Sequence, residues 1–133
     1  MRSTVADVAQ RLFAAIEGGD ADAVAALWDE DVLVWKSAEP QEQVKTRALR
    51  VIFWFMDATT ERRYEILDRQ FFEGGFVQQH VLRARRSDAK GDGSTDGAIA
   101  MRVCIVIKVN ADGLITRIDE YFDPADMAPI LGN

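Results

Sequence analysis

The chain has 133 residues, of which 48% are hydrophobic and 29% are charged. This length suits one domain and this composition excludes a disordered segment, so we expect a single domain over residues 1–133. The formal net charge is −6, and the basic residues are scattered along the chain. A nucleic-acid binder needs a concentrated basic footprint to neutralise phosphates, so nucleic acid is excluded as a partner.

The sequence has few residues that could bind a metal or a phosphate, and few that could form a membrane-spanning segment. Cys104 is the only cysteine and His80 the only histidine, which excludes a disulfide framework and a Cys/His zinc site. There is no glycine-rich phosphate loop, so we expect no metal and no cofactor. The first residues lack the apolar core of a secretory signal, and no run of about 18 apolar residues is present. We therefore expect a cytoplasmic protein with no membrane partner.

Three helices and one strand are predicted before residue 60. Apolar residues recur at helical spacing after Thr4, which forms a loose capping box with Asp7, and Gly18-Gly19 ends this first helix. The other predicted elements of this half are a short helix at 21–28, capped by Asp20, a strand at 32–37 and, after Pro40, a third helix from about 41 to 58.

From residue 63 the apolar period changes to two, which indicates strands. Glu73-Gly74-Gly75 is a turn that joins two strands as a hairpin, and the polar segment 87–97 is a loop. The predicted strands lie at 64–72, 76–86, 98–109 and 114–123. Because such an antiparallel sheet must cover its apolar face, we expect the helices to pack on it, which makes the fold α+β.

The strand at 98–109 is apolar on both faces. One face carries Ile99, Met101, Val103, Ile105, Ile107 and Val109. The other carries Ala98, Ala100, Cys104 and Val106, interrupted by Arg102 and Lys108. We expect the second face to leave water against another copy of the chain, so a homodimer is predicted.

His80 is the first candidate for acid/base chemistry. It shares a strand face with Phe76 and Gln78, among other residues that favour the interior. Imidazole titrates nearest physiological pH, so a histidine that faces an apolar cavity suits a general acid/base. The alternative is a core histidine whose ring nitrogens are satisfied by neighbours.

Glu120 is the second candidate. Alternation places it on one face with Ile118 and Phe122, and with Leu114 and Thr116 earlier in the strand. The opposite face then carries Ile115, Arg117, Asp119 and Tyr121. Burial raises a carboxyl pKa and a nearby imidazolium lowers it, so Glu120 and His80 would titrate as a coupled pair. We expect the two side chains within direct or single-water reach.

Lys36 leaves two readings open. If the strand register holds, its ammonium enters the interior near Glu120, where it could act as a base or a Schiff-base amine. The alternative, which is the commoner behaviour of such a lysine, is that it snorkels to the rim with its stem on apolar surface. A shift of one residue would instead turn Trp35 inward. Phe55, in the apolar run 51–56, is expected to face the same interior.

Three segments resemble the nuclear transport factor 2-like superfamily. They are Gly-Asp between the first two helices, Asp-Glu-Asp-Val before the first strand and Asp-Gly-Leu-Ile-Thr-Arg-Ile-Asp-Glu-Tyr-Phe-Asp-Pro at 112–124. Within this superfamily, the sequence most resembles the branch of the SnoaL-type polyketide cyclases, the ketosteroid isomerases and the limonene epoxide hydrolases. The resemblance implies one SnoaL-like domain, a cystatin-like α+β roll in which a cone-shaped, strongly curved, mostly antiparallel sheet and three N-terminal helices enclose a pocket.

The residues of these families carry over only in part. In limonene epoxide hydrolases the last strand has an aspartate base, which matches Glu120, while their arginine and acidic aspartate match Gln78 and His80. The tyrosine and two aspartates of ketosteroid isomerases fall at Leu12, Lys36 and Ile105, so steroid isomerisation by that mechanism is excluded.

These observations predict a cofactor-independent acid/base enzyme of isomerase, cyclase/lyase or epoxide-hydrolase type that acts on a small, largely apolar molecule. His80 and Glu120 are the predicted catalytic residues. The predicted substrate-binding residues are Gln78, Lys36, Phe76, Phe122, Ile118 and Phe55. The alternative is a non-catalytic protein of the same fold that binds a small ligand.

Overall fold

The computed structural model describes residues 4–88 and 97–131. Its elements in chain order are α1 (Val5–Gly18), α2 (Ala21–Leu27), β1 (Trp28–Lys36), β2 (Glu39–Val44), α3 (Lys45–Ala58), β3 (Thr59–Phe72), β4 (Gly75–Arg86), β5 (Ala98–Val109), β6 (Ile115–Tyr121) and a 3₁₀ helix (Pro124–Ile130). Most of the predicted polar loop at 87–97 lies outside the described residues.

The strands form one curved, unclosed sheet in the order β2-β1-β6-β5-β4-β3. Neighbouring strands run antiparallel, except that β1 pairs with β6 in parallel. The predicted α+β class and the antiparallel meander from β3 to β6 are confirmed. The helices cover the concave face of the sheet, where the predicted inward face of β5 is buried.

Local hydrogen bonds set the ends of the first two helices. The backbone N–H of Asp7 donates to the Thr4 hydroxyl at 3.1 Å, and the Thr4 N–H donates to the Asp7 carboxylate at 3.4 Å, so the capping box is present. Gly19 ends α1 with φ of 70°, a conformation that suits glycine. Asp20 then caps α2 by accepting from the Ala23 N–H.

Arg62 ties two helix ends to β3. Its Nε donates to the carbonyl of Ile16, near the end of α1, and its Nη1 donates to the carbonyl of Met56, near the end of α3, each at 2.8 Å. A cation near the last carbonyls of a helix also interacts favourably with the helix dipole. One side chain therefore fixes how both helices meet the sheet.

The predicted start of the third helix is wrong. Residues 39–44 form the edge strand β2, in which Val44 and Gln43 pair with Leu33 and Val34 of β1. An edge strand accommodates Pro40, because one side of such a strand has no partner and a proline there is not required to donate a backbone hydrogen bond. Pairing with β1 overrides the local helical pattern, and α3 begins only at Lys45.

Two bulges change which residues face the helices. Val109 pairs with Ile115 but Lys108 pairs with Arg117, so Thr116 is an extra residue that reverses the alternation of β6. Ile115, predicted on the outer face, is therefore fully buried. In β3 the partner of Ile66 is His80 and that of Asp68 is Gln79, which leaves Leu67 as the extra residue.

Candidate functional site

A cavity lies between the helices and the concave face of the sheet, and it has two compartments. The outer compartment has a volume of about 250 Å³ and the inner one about 50 Å³. Lys36, Ile52, Tyr64 and Glu120 line both of them, so these four side chains stand where the compartments meet. The remaining lining residues are apolar in both compartments.

Glu120 enters this cavity from β6. Burial raises the pKa of its carboxyl, and the positive charge of Lys36 partly offsets the rise. Lys36 is the register partner of Glu120 on the neighbouring strand β1, which explains why the two side chains approach each other. The cavity therefore holds a carboxyl group that keeps its proton to a higher pH than an exposed glutamate.

Lys36, rather than Trp35, faces the cavity. Trp35 lies on the other side of the sheet, where its ring is 5.1 Å from that of Tyr121 and its indole N–H donates to the carbonyl of Pro40 at 3.1 Å. The predicted polar outer face of β6 is also present, because Arg117 donates twice to the carboxylate of Asp119, at 3.0 Å each.

Tyr64 is a cavity residue that the sequence did not single out. It pairs with Leu82 across β3 and β4. Counting back from the hairpin turn without the bulge at Leu67 would pair Tyr64 with Arg83 on the outer face. Burial, and then the negative charge of Glu120, raise the pKa of the Tyr64 hydroxyl, so it stays protonated. Nothing in the sequence pattern of β3 predicts the bulge at Leu67.

His80 and Gln78 lie in a buried cluster beside the cavity. Arg69 donates through Nε to the amide oxygen of Gln78 at 2.6 Å, and the amide nitrogen of Gln78 lies 2.9 Å from Nδ1 of His80. Because the Gln78 amide oxygen faces Arg69, its NH₂ group donates to Nδ1, and the ring proton of neutral His80 lies on Nε2. The rings of Phe13 and Tyr64 pack against the imidazole.

His80 and Glu120 were expected within direct or single-water reach, and no direct hydrogen bond joins them. Nδ1 of His80 bonds to Gln78, and Nε2 has no partner in the described part of the chain. The side chains of His80 and Glu120 are both on the concave face. Gln78, which is two residues before His80 and on the same face of β4, pairs with Ile105, and Glu120 pairs with Ile105 from the other side. His80 is nevertheless fully buried and lines neither compartment. Burial, with a contribution from Arg69, lowers the pKa of His80 to about 4, so the ring is neutral at pH 7.

The other predicted substrate-binding residues divide between the cavity and the core. Ile118 lines the inner compartment, and Phe55 and Phe122 line the outer one. Phe76 is fully buried, with its ring 6.2 Å from that of Phe13, and lines neither compartment.

Within 4–88 and 97–131, no three His, Cys, Asp or Glu side chains are grouped so that they could hold a metal ion. No helix in these ranges combines the length and the apolar character that a membrane crossing requires.

The cavity groups together provide a proton carrier, a cation and a phenol in apolar surroundings. A carboxyl whose pKa is raised by burial keeps its proton to a higher pH than an exposed one, and it can take up and return a proton. An ammonium and a phenolic O–H can donate to an oxygen on which charge develops. The arrangement is therefore suited to proton transfer on a small molecule.

Known structures share this fold at low sequence identity. PrhC from Penicillium brasilianum NBRC 6234 has a TM-score of 0.78 and 15% identity over 96% of this chain and 85% of that one. IdmH, a proposed polyketide cyclase from Streptomyces antibioticus, has a TM-score of 0.76 and 17% identity over 98% and 100%. An LEH-like epoxide hydrolase from M. tuberculosis has a TM-score of 0.71 and 17% identity over 94% and 87%.

At these identities the likeness concerns the fold. No curated protein sequence is significantly similar to the chain. The model of the SnoaL-like domain matches residues 9–118, which extend from α1 to β6. On this match, and with the same fold in its structural neighbours, the chain belongs to the family of SnoaL-like domains.

Proposed function

We propose that the protein is a cofactor-independent acid/base enzyme that acts on a small, largely apolar molecule in the cavity, with Glu120 as the proton carrier. One observation carries the proposal: Glu120 lines both compartments, and burial raises the pKa of its carboxyl. General acid/base groups work best when their pKa lies near the working pH.

The apolar lining supports the ligand class. In the outer compartment, aliphatic and aromatic side chains surround the three polar groups Lys36, Tyr64 and Glu120. Small-molecule sites typically combine such an apolar wall with a few convergent polar groups. A compartment of about 250 Å³ suits a compact ligand of one or two rings.

His80 has a different role in this scheme from the one predicted. A ring with a pKa of about 4 that lines neither compartment is a poor proton carrier at pH 7. We assign to His80 the support of the wall behind Phe13 and Tyr64, whose rings pack against its imidazole. Gln78 in turn holds the imidazole through its hydrogen bond to Nδ1. The catalytic role then remains with Glu120.

Proton transfer of isomerase or cyclase type fits this site better than epoxide hydrolysis. One carboxyl can remove a proton from a substrate carbon and return it elsewhere. Opening an epoxide with water requires a base and a separate acid, and the positions that match the acid and its partner, His80 and Gln78, are fully buried. The structural neighbours named as a proposed polyketide cyclase and an epoxide hydrolase support an enzyme in general.

A non-catalytic ligand-binding protein is the second candidate. It is favoured by one feature: the charge of Lys36, the register partner of Glu120, partly offsets the burial that raises the pKa of this carboxyl. In that case the polar groups would hold a ligand without moving its protons.

Hydrogen–deuterium exchange on enolisable ketones separates the two candidates. The protein would be incubated in D₂O with α-tetralone and related ketones, and deuterium incorporation measured by mass spectrometry. We expect exchange above the buffer rate, and Glu120→Gln should reduce the catalysed rate by at least about 100-fold. Asp119→Asn is the matched control, because this neighbouring carboxylate is bonded to Arg117 and lines neither compartment. It should leave the rate unchanged.

Two outcomes count against the proposal. Equal exchange by the wild type and Glu120→Gln would remove Glu120 as the proton carrier. Ketone binding without exchange in any variant would favour the ligand-binding protein.

We also propose that the protein is a homodimer that packs through the outer face of the sheet. Val106, Cys104 and Val77 are half-buried there, and Tyr121 is 48% exposed. These residues are neighbours across β4, β5 and β6. A continuous partly apolar surface of this kind is a typical protein–protein contact.

A further inference from the structure

Ser37 links the ends of two neighbouring strands beside the cavity. It is the first residue of the two-residue turn between β1 and β2, and its neighbours Lys36 and Ala38 both line the outer compartment. The backbone N–H of Ser37 donates to the carbonyl of Glu120 at 3.0 Å. This bond continues the parallel pairing of Lys36 with Glu120, so Ser37 stands where β1 leaves its partner strand β6.

The hydroxyl of Ser37 takes the place of a backbone acceptor. In a regular parallel pair, the next donor, the N–H of Phe122, would bond to the carbonyl of Ser37. Here the chain turns toward β2, and the Phe122 N–H donates to Oγ of Ser37 at 3.1 Å. The same hydroxyl lies 3.4 Å from the carbonyl oxygen of Glu120, to which it makes a long and weak hydrogen bond. One side chain thus holds the backbone on both sides of Tyr121.

The two residues that bond to this hydroxyl carry side chains of the cavity. Glu120 lines both compartments, and Phe122 lines the outer one. β6 ends at Tyr121, so Glu120 is the next-to-last residue of its strand. Strand ends that lose their hydrogen bonds open more readily than strand centres. A displacement of about 1 Å in a reacting group can lower a rate by as much as about 100-fold, so this strand end has to be held.

We infer that Ser37 is a positioning residue, whose hydroxyl holds the end of β6 against β1 and so keeps the Glu120 carboxyl in the cavity beside Lys36. The catalytic consequence of the inference rests on the proposed function, in which Glu120 is the proton carrier. Ser37 lines neither compartment, so it acts through Glu120 and not on the ligand.

Titration of Glu120 tests the inference without a ligand. The carboxyl would be followed by ¹³C NMR in protein labelled in its glutamate side chains, and Glu120→Gln assigns its signal. Burial raises the pKa of Glu120 in the wild type. Ser37→Ala removes the hydroxyl, so water should reach the carboxyl more easily. The pKa of Glu120 should then fall toward its ordinary value of 4.5, by about half a pH unit or more.

Two further variants identify the hydroxyl as the responsible group. Ser37→Thr keeps the hydroxyl, and Glu120 should titrate in it as in the wild type. Thr116→Val is the matched control, because it removes a hydroxyl at the other end of β6, where Thr116 donates to the carbonyl of Lys108 at 3.4 Å. It should leave the pKa of Glu120 unchanged. The inference is overturned if this pKa is unchanged or higher in Ser37→Ala, or if Ser37→Thr or Thr116→Val lowers it as much as Ser37→Ala does.

Deuterium exchange on α-tetralone separates the inference from the proposed function. If the wild type catalyses exchange, Ser37→Ala should lower kcat about tenfold and change KM by less than about twofold. The displaced carboxyl reacts poorly, whereas most of the apolar wall that binds the ketone stays in place. Equal kcat values for the wild type and Ser37→Ala overturn the inference. If the wild type catalyses no exchange, the proposed function falls, and the titration alone decides whether Ser37 positions Glu120.

Discussion

The side-chain amide of Gln78 donates to Nδ1 of His80 at 2.9 Å, and the other end of the same amide accepts from Arg69 at 2.6 Å. This chain of two hydrogen bonds fixes the orientation of the amide and the tautomer of the ring. The cation of Arg69 also disfavours a second positive charge on His80. The only histidine of the protein is therefore held neutral.

A neutral buried histidine makes stability depend on pH. The pKa of His80 falls from 6.5 to about 4 on folding, so the unfolded chain binds more protons between these values. The contribution of His80 to stability is complete above pH 6.5 and is lost as the pH falls toward 4. Compared with His80→Gln, the wild type should lose about 2–3 kcal/mol of unfolding free energy between pH 7 and 4.5. Urea denaturation at several pH values measures this, and parallel pH profiles for the two proteins would contradict it.

Gln78→Ala should destabilise the fold. The truncation leaves Arg69 Nε and His80 Nδ1 without their partner in a buried cluster. His80 is fully buried and Arg69 is half-buried, so the loss of these partners should cost about 1–3 kcal/mol of unfolding free energy. Chemical denaturation measures this cost. Gln70→Ala is the control, because Gln70 is an exposed glutamine on β3, and its loss should cost less than about 0.5 kcal/mol.

Glu120→Gln should preserve or increase stability above neutral pH. The pKa of Glu120 is raised in the folded state from its ordinary value of 4.5, despite the charge of Lys36. The contribution of Glu120 to stability is therefore complete below pH 4.5 and is lost as the pH rises through the raised folded-state pKa. A glutamine of the same shape avoids this loss. Melting curves at pH 5 and pH 8 should show a relative gain for the variant at pH 8, and a relative loss there would contradict the assignment.

Val106→Lys should dissociate the proposed homodimer. Val106 lies on the outer face of β5, opposite Asp119, which can pair with the new lysine in a monomer. In a dimer the same lysine would be buried at the interface, at a cost of several kcal/mol. Light scattering at micromolar concentration should report twice the chain mass of 14.9 kDa for the wild type and the single mass for the variant.

Gln10→Lys, on an exposed position of α1, is the control and should remain dimeric. A wild-type mass near that of one chain would end the dimer proposal.

The helices and strands were predictable where local patterns decide them. Thr4 with Asp7, Gly19 and Asp20 mark helix ends through bonds to the nearest backbone groups. The alternation of β5 correctly separates the buried residues from the exposed and half-buried ones, because its pairing with β4 has no bulge. The prediction for residues 39–44 was wrong because these residues form a strand by pairing with β1. The local sequence pattern of 39–44 does not indicate that pairing.

The candidate site was predictable only in part. Glu120, Ile118 and Lys36 line the cavity as their alternation indicated. Tyr64 was missed because one extra residue, Leu67, reverses the phase of β3. Trp28 was predicted as the end of a helix, whereas it begins β1 and lines the inner compartment.

By itself, the sequence determined most of the element types, strand β2 excepted, the inward face of β5 and the resemblance to SnoaL-like proteins. Periodicity, caps and turns depend on residues close in the chain. The tertiary structure decided which polar groups share the cavity. Bulges at Leu67 and Thr116 set the strand phases, and packing by Phe13 and Tyr64 encloses His80. These outcomes depend on contacts between segments that are distant in the chain. A shift of one residue in the register of a strand moves its side chains to the opposite face of the sheet.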